Sequence, residues 1–293
     1  MKTLMIVDSH NLCHAVKHNT KNLSFKGSKT GVIYGFLRYL LTIQEVVDAD
    51  EWLFAWDPGI NGTSVRKQID PEYKANHIEK SAEDKHLNDI ALPQFDIIRD
   101  EVLPALGFVN TVRVDGYEAD DIIAQAAITL TSFKRVIVSR DQDLYQLLDD
   151  GVSIYNPIRK EYYSATLFRA EWGLHNPADW AAIKAIAGCS GDNVKGVKGV
   201  AEKTAIRYWN GLLKPGNKAY DAIEAAGEQI MANWDLVALP QPNMPDCIKT
   251  IGHSCFQLSK FSNVAARYGM KSLLQQPDRW KAAFCKGAFC KGD

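Results

Sequence analysis

The chain has 293 residues, of which 46% are hydrophobic, and a formal net charge of −1. This length and apolar content predict a soluble globular protein with one large or two ordinary domains. The first ten residues hold only a short apolar run broken by Asp8, so we expect neither a signal peptide nor a membrane span there, and no membrane partner. The six cysteines lack paired spacing, which excludes a disulfide framework or zinc module and favours a reducing, cytoplasmic setting.

Apolar runs rich in β-branched and aromatic residues predict five strands, at Leu4–Val7, Trp52–Trp56, Val109–Val114, Arg135–Val138 and Val152–Tyr155. Apolar residues at three-to-four spacing predict helices at Gly31–Val47, about Ala91–Leu106, Tyr117–Leu130 and Leu144–Leu148. This alternation predicts an α/β fold, with a mostly parallel central sheet flanked by helices, over residues 1–176. From about Pro177 the pattern changes to helices punctuated by Gly and Pro, which predicts a helical region over residues 177–293.

Acidic residues follow four of the predicted strands. They are Asp8 after the first, Asp57 after the second, Glu118, Asp120 and Asp121 after the third, and Asp141 and Asp143 after the fourth, and Asp192 adds another from a Gly-Cys-Ser-Gly-Asp-Asn turn. One aspartate at a strand end is more often a helix cap or turn residue than a ligand. Ligands of open α/β sheets, however, bind at the carboxyl ends of the strands. Acids from four strand ends would repel each other there unless cations intervened.

Oxygen ligands without His or Cys favour Mg²⁺ or Mn²⁺ over zinc. An acidic pocket of this kind suits phosphodiester hydrolysis by two divalent metal ions. The net charge of −1 is low for a protein that binds nucleic acid, but acids gathered in one site would leave the remaining surface basic.

Five segments then match one family in order along roughly the first 205 residues. They are Ile6–Leu12, Arg66 with Pro71–Asn76, Gly116–Asp121, Ser139–Asp143 and Gly191–Val200. In these motifs the chain resembles the 5′-nuclease family: phage flap endonucleases and 5′-exonucleases, the 5′-nuclease domain of bacterial DNA polymerase I and, more distantly, the eukaryotic flap endonucleases. The resemblance implies a PIN-like nuclease core, structure-specific cleavage of branched or 5′-ended DNA such as 5′ flaps or primers, and a role in replication or repair.

The resemblance also implies a ligand set for each of two metal ions. Asp8, Asp57, Glu118 and Asp120 would surround the first ion, and Asp141, Asp143 and Asp192 the second, with Asp120 or Asp121 near both. Cys189 stands where many relatives have another acid. Because this assignment puts Asp120 at the first ion and near the second, Asp120 is expected to be catalytic.

Residues about 66–92 resemble the helical arch that covers the active site in this family. On that basis we expect Arg66 and Lys74 to be catalytic and, with Lys67, to bind the scissile phosphate, while Tyr73 stacks on an unpaired base. The mixed charge of this segment is equally typical of a solvated helix, and only the alignment with the motif favours the first interpretation.

A second segment, about residues 183–209, resembles a helix–hairpin–helix. Gly196 and Gly199 are expected to let backbone amides approach a DNA phosphate, with Lys195, Lys198, Lys203 and Thr204 as further DNA contacts. The resemblance implies a potassium ion in this loop. A glycine-rich helix connection without a DNA role is the alternative.

Two other functions remain open from the sequence. One is a PIN-type metal-dependent ribonuclease, and the other is a catalytically weak protein that binds DNA junctions. We expect a monomer in all three cases.

Overall fold

A six-stranded sheet forms the centre of the computed structural model, which describes residues 1–58, 64–76 and 81–285. Its strands are β1 Thr3–Asp8, β4 Glu51–Trp56, β5 Thr111–Arg113, β6 Lys134–Val138, β7 Val152–Asn156 and β8 Glu161–Tyr163. They lie in the order β5-β4-β1-β6-β7-β8, and all neighbours are parallel except β7 and β8. The predicted α/β fold with a mostly parallel sheet is confirmed. A short hairpin, β2 Ser24–Phe25 with β3 Ser28–Lys29, lies apart from this sheet.

Helices connect most of these strands, whereas a turn joins β7 to β8, and the helices α1 (Ser9–Thr20) and α7 (Ala165–Trp172) were not predicted. The helices are α1 Ser9–Thr20, α2 Gly31–Val47, α3 Val65–Ile69, α4 Ala82–Ile97, α5 Leu103–Ala105, α6 Ala119–Thr129 and α7 Ala165–Trp172, with a π-helical turn Ile98–Val102 and a 3-10 helix Asp143–Leu147. Sequence analysis assigned no element to α1. The helix predicted from about Ala91 begins nine residues earlier, at Ala82, where the Ser81 hydroxyl accepts a hydrogen bond from the Asp84 amide.

Alternation along the strands builds two cores, one on each face of the sheet. Met5 and Val7 of β1 join the first core with side chains of α1, α2 and α4, whereas Leu4 and Ile6 join the second with α6. Both faces of β1 are therefore covered, and Leu4–Val7 have no exposed surface. This double burial is why the central strands read as continuous apolar runs.

The region after residue 176 adds helices to both cores. Its elements are a 3-10 turn Pro177–Asp179, α8 Trp180–Ala187, β9 Gly188–Cys189, β10 Val194–Lys195, α9 Glu202–Trp209, α10 Lys218–Glu224, α11 Gly227–Val237, α12 Leu258–Arg267, α13 Lys271–Leu274 and α14 Pro277–Phe284. Trp180 packs in the second core, while Trp280 and Phe284 pack in the first. The division into residues 1–176 and 177–293 stays a prediction. In the part of the chain that the structure describes, no helix is long and apolar enough for a membrane span.

Candidate active site

The carboxyl ends of β1, β4 and β6 bring acidic side chains to one edge of the sheet. Asp8 ends β1, Asp57 follows β4, and Asp141 follows β6. Together with Glu118 and Asp120 from the start of α6, they line a cavity of about 400 Å³. The structure thus brings together all four residues that the resemblance assigned to the first metal ion, with Asp141 beside them.

Hydrogen bonds fix two of these carboxylates. Oδ1 of Asp8 accepts from the Asn11 amide at 3.0 Å, and Oδ2 accepts from the Ser139 hydroxyl at 2.7 Å. Oδ1 of Asp57 accepts from the Ala119 amide at 2.8 Å, in the first turn of α6, where the helix dipole favours a negative charge. The edge of the sheet therefore holds these side chains in place before any ligand binds.

Burial and mutual repulsion raise the pKa values of the acids in this cavity. The pKa of Asp8 rises to about 7, mainly through burial and then through the charge of Asp57. The pKa of Asp141 rises to about 6 through burial and the charge of Asp143, and that of Asp120 lies well above its usual value through burial and the charges of Asp141 and Asp8. A divalent cation would remove this repulsion, so the residues fit the metal ion that the sequence predicted.

Lys74 lies between the two predicted groups of ligands. Its Nζ is 2.8 Å from Oε2 of Glu118 and 3.7 Å from Oδ1 of Asp192, and its backbone N–H donates to the Asp192 carbonyl at 2.8 Å. Burial alone would lower its pKa, but the neighbouring charge of Glu118 raises it well above the ordinary value, so the side chain stays cationic. Lys74 lines the cavity together with the exposed Lys67.

A second group of ligand atoms lies beside the first. Asp143, Cys189 and Asp192 each offer one atom within 4.8 Å of the others. They line a larger cavity of about 730 Å³, which shares Asp141 and Asn11 with the first. Burial raises the pKa of the Cys189 thiol to about 12, with further contributions from the charges of Asp143 and Asp192.

Sequence analysis did not treat Cys189 as a ligand and missed Lys184 altogether. Nζ of Lys184 lies 3.3 Å from Oδ1 of Asp143 and 3.2 Å from Oε1 of Glu202. Cys189 lies three residues before Asp192 in the same turn, and this spacing was the signal that could have identified it as a ligand. Lys184 lies within the mostly apolar helix α8, and nothing in the sequence indicated that it contacts the site.

Arg66 and Asp121 do not belong to this site, which corrects two predictions. The guanidinium of Arg66 donates to both carboxylate oxygens of Asp121, at 2.7 and 2.8 Å, and its Nε donates to the Leu236 carbonyl. Asp121 has no exposed surface and also accepts from the amides of Gln241 and Glu118. Because these contacts occupy both groups inside the protein, Arg66 is not placed to bind a phosphate, nor Asp121 a metal ion.

Tyr73 requires a similar correction. Its side chain is only 2% exposed, and its hydroxyl donates to Oε2 of Glu118 at 3.1 Å. A buried ring cannot stack on an unpaired base, so Tyr73 instead orients Glu118. Residues 77–80 of the predicted arch lie outside the described residues, and the arch over residues 66–92 stays a prediction.

The segment predicted to be a helix–hairpin–helix contains α8, the β9–β10 hairpin, a loop and α9, and its assignment to that motif stays a prediction. Lys195, Lys198 and Lys203 are exposed on it, and Thr204 is half-buried in the first turn of α9. Gly199 has φ of +78° and open space where a Cβ would lie. Gly196 differs, because its Cβ would lie 2.0 Å from the carbonyl oxygen of Ala187. The need for glycine at 196 is therefore packing inside the protein, not approach of a phosphate as the sequence suggested.

Two histidines that sequence analysis did not select also line the first cavity. His10 accepts a hydrogen bond at Nδ1 from the Asp57 amide at 3.3 Å, and its ring meets Phe95 edge-on. Burial lowers the pKa of His10 and lowers that of His14 to about 4. Both rings are therefore neutral near pH 7.

Known proteins match this chain in sequence and in fold. Residues 3–173 match the model of the 5′-3′ exonuclease family, N-terminal resolvase-like domain. The 5′-3′ exonuclease of Aquifex aeolicus is 30% identical over 238 residues, which cover 80% of this chain and 74% of that protein. DNA polymerase I of Thermus aquaticus is also 30% identical, over 248 residues, but the match spans only 28% of the polymerase.

A solved structure of the T5 5′-exonuclease, with zinc ions bound, superposes with a TM-score of 0.69 at 26% identity and covers 82% of this chain and 90% of that one. The family resemblance read from the sequence motifs is thus confirmed. The chain belongs to the 5′-3′ exonuclease family.

Proposed function

We propose that this chain is a structure-specific 5′-nuclease that hydrolyses phosphodiester bonds of branched or 5′-ended DNA with two divalent metal ions, Mg²⁺ or Mn²⁺. The observation that carries the proposal is the convergence of Asp8, Asp57, Glu118, Asp120 and Asp141 in one cavity beside Lys74. The T5 5′-exonuclease, which shares the fold, holds divalent metal ions, and this supports the same cofactor class here.

The residues of the site have different proposed roles, which depend on their position. Asp8, Asp57 and Asp120 would hold the first ion, with Glu118 in the same cavity accepting hydrogen bonds from Tyr73 and Lys74. Asp141, Asp143 and Asp192 would lie at the second ion. When bound, two divalent ions supply Lewis acidity at the scissile phosphate and favour ionisation of the attacking water. The Lys74 ammonium, held by Glu118 at 2.8 Å, offers positive charge to the phosphate as negative charge develops on it.

The helix–hairpin–helix loop would bind the duplex next to the cleavage site. Its exposed lysines, Lys195, Lys198 and Lys203, offer charge to phosphates, and the open backbone at Gly199 allows an amide to approach one. The carbonyls of Lys195 and Gly196 already accept hydrogen bonds from Gln229 of α11. Binding of a potassium ion by the remaining carbonyls of this loop therefore stays a prediction. The roles in replication and repair, the monomeric state and the cytoplasmic location also stay predictions.

One assay separates this proposal from its alternatives. Purified protein is incubated with a 5′-flap DNA and with single-stranded RNA, in Mg²⁺, in Mn²⁺ or in EDTA. We expect metal-dependent cleavage of the flap. Preferred cleavage of the RNA would support the PIN-type ribonuclease, and tight flap binding without cleavage in any metal would support the junction-binding protein.

Asp120→Asn tests the metal site itself. We expect this variant to lose cleavage in Mg²⁺ while its affinity for flap DNA, measured in Ca²⁺, is unchanged or higher, since one charge that repels phosphate is gone. Asp278→Asn, at an exposed position in the first turn of α14 that lines neither cavity, is the control for nonspecific effects of substitution. Cleavage by Asp120→Asn within a few-fold of wild type would remove Asp120 from the metal site.

A further inference from the structure

The second group of ligand atoms contains a sulfur atom at the distances of a metal coordination sphere. Sγ of Cys189 lies 3.4 Å from Oδ2 of Asp143 and 3.8 Å from Oδ2 of Asp192. A tetrahedral ion with metal–sulfur and metal–oxygen bonds of about 2.3 and 2.1 Å places its S and O ligands about 3.6 Å apart. The three side chains are thus already spaced to share one ion.

Lysines turn the two carboxylates toward that point. Oδ1 of Asp143 faces Nζ of Lys184 at 3.3 Å, and Oδ1 of Asp192 faces Nζ of Lys74 at 3.7 Å. The outer oxygen of each carboxylate is therefore paired with an ammonium group, whereas the inner oxygen faces the sulfur. The three ligand atoms open onto the cavity of about 730 Å³, which leaves room for water or a substrate oxygen as a fourth ligand.

The charges at this position differ from those of the first group. Each of the two carboxylates shares one oxygen with an ammonium group, and those ammonium groups also contact Glu118 at 2.8 Å and Glu202 at 3.2 Å. A thiolate would add negative charge at the metal position itself, but Mg²⁺ prefers six hard oxygen ligands and rarely binds sulfur. Zn²⁺, Co²⁺ and Cd²⁺ bind mixed sulfur and oxygen sites readily.

We propose that Cys189 is a direct ligand of the second metal position, and that this position takes a thiophilic divalent cation in preference to Mg²⁺. This inference rests on the proposed two-metal function and changes the expected ion at one of its two positions. The first position, which has carboxylate oxygens and no thiol, keeps its preference for Mg²⁺ or Mn²⁺.

Cobalt provides a readout that does not depend on cleavage. Co²⁺ is titrated into the full chain in the presence of excess Mg²⁺, and the near-ultraviolet band that arises from charge transfer between thiolate and Co²⁺ is recorded. We expect the band in the wild type and its loss in Cys189→Ser and Cys189→Asp, with Co²⁺ affinity lower by roughly tenfold or more. Calorimetry should show tighter Mg²⁺ binding by Cys189→Asp than by the wild type.

Cys247→Ser is the matched control, since Cys247 is exposed and its Sγ contacts Gln125, away from the site. This variant should keep the band. Circular dichroism checks that each variant is folded. Asp192→Asn gives an independent measurement that leaves the sulfur in place: it should keep the band but weaken Co²⁺ binding. A band that is absent from the wild type, or that persists in Cys189→Ser, overturns the inference.

The same preparations are assayed on 5′-flap DNA, so that the two proposals fail separately. Cleavage in Mg²⁺ without a thiolate band would overturn the role of Cys189 and leave the nuclease proposal standing. A thiolate band without cleavage in any metal would do the reverse.

Discussion

Removal of the Asp121 carboxylate tests whether the Arg66–Asp121 pair stabilises the fold or serves catalysis. Asp121→Ala leaves the Arg66 guanidinium, only 3% exposed, without the carboxylate to which it donates, and Oε2 of Glu118 then lies 3.7 Å from its Nη1. Four donors lose their acceptor: two guanidinium N–H groups and the amides of Glu118 and Gln241. Because breaking a buried pair leaves an uncompensated charge, we expect the free energy of unfolding to fall by about 3–5 kcal/mol.

Counting the hydrogen bonds that are lost gives a similar decrease in the free energy of unfolding. Two charge-assisted hydrogen bonds at about 1.5–3 kcal/mol each give about 3–6 kcal/mol, which covers the same range. For a chain of this size, each 1 kcal/mol lowers the melting temperature by roughly 2–4 °C. The double variant Arg66→Met with Asp121→Leu removes both charges and should recover part of the loss, although the two backbone amides remain without an acceptor.

Urea unfolding followed by circular dichroism measures these differences, and flap cleavage is assayed at a temperature where each variant is folded. Asp120→Asn is the matched control one residue away. Burial and then the neighbouring acids Asp141 and Asp8 raise the pKa of its carboxyl, so loss of that carboxylate should not destabilise the fold. If Asp121→Ala unfolds within about 1 kcal/mol of wild type and yet loses cleavage, the structural role is wrong and the metal role predicted from the sequence is restored.

Three further predictions follow from the site. Lys74→Ala should lower the single-turnover cleavage rate more than DNA affinity; an unchanged rate with weaker binding would make Lys74 an ordinary backbone contact. In EDTA, the raised pKa values of Asp8 and Asp141, about 7 and about 6, mean that the folded state binds more protons than the unfolded chain, so the free energy of unfolding should fall as the pH rises from about 4 to about 7. Mg²⁺ should flatten this trend, and a rise in stability with pH in EDTA would contradict it. Gly196→Ala should destabilise the fold, because its Cβ would meet a carbonyl of α8, whereas Gly199→Ala should leave a folded protein with weaker flap binding; equal unfolding of both variants would refute the distinction.

The sheet was predictable because its central strands are buried on both faces. Each predicted strand from Leu4–Val7 to Val152–Tyr155 overlaps an observed one, with ends that differ by at most two residues. The helix α1 was missed because polar residues and histidines dominate Ser9–Thr20, and only Leu12, Cys13 and Val16 are its apolar buried residues. The first turns of α4 were missed for the same reason, since they contain mostly charged and polar residues.

The site was predictable to the level of the motif but not to the individual side chain. Strand ends and chain order predicted that Asp8, Asp57, Asp120 and Asp141 would meet, and they line one cavity. The resemblance grouped Asp143 with Asp192, but the sequence analysis did not assign the Cys189 thiol to that group, because its distance to both carboxylates depends on how α8 and the β9–β10 hairpin pack.

Two pairs of adjacent motif residues show why the sequence could not predict the direction in which each side chain points. Successive residues on a helix point about 100° apart, so Asp120 faces the cavity while Asp121 faces Arg66 in the core. In the same way Lys74 reaches the cavity while the ring of Tyr73 is buried, and both donate to Glu118. In each pair, the buried member ties its segment to the core and thereby positions the half-buried neighbour that lines the cavity. A motif therefore combines residues that line the active-site cavity with residues that position them. Only the packing in the folded structure shows which residue has which role.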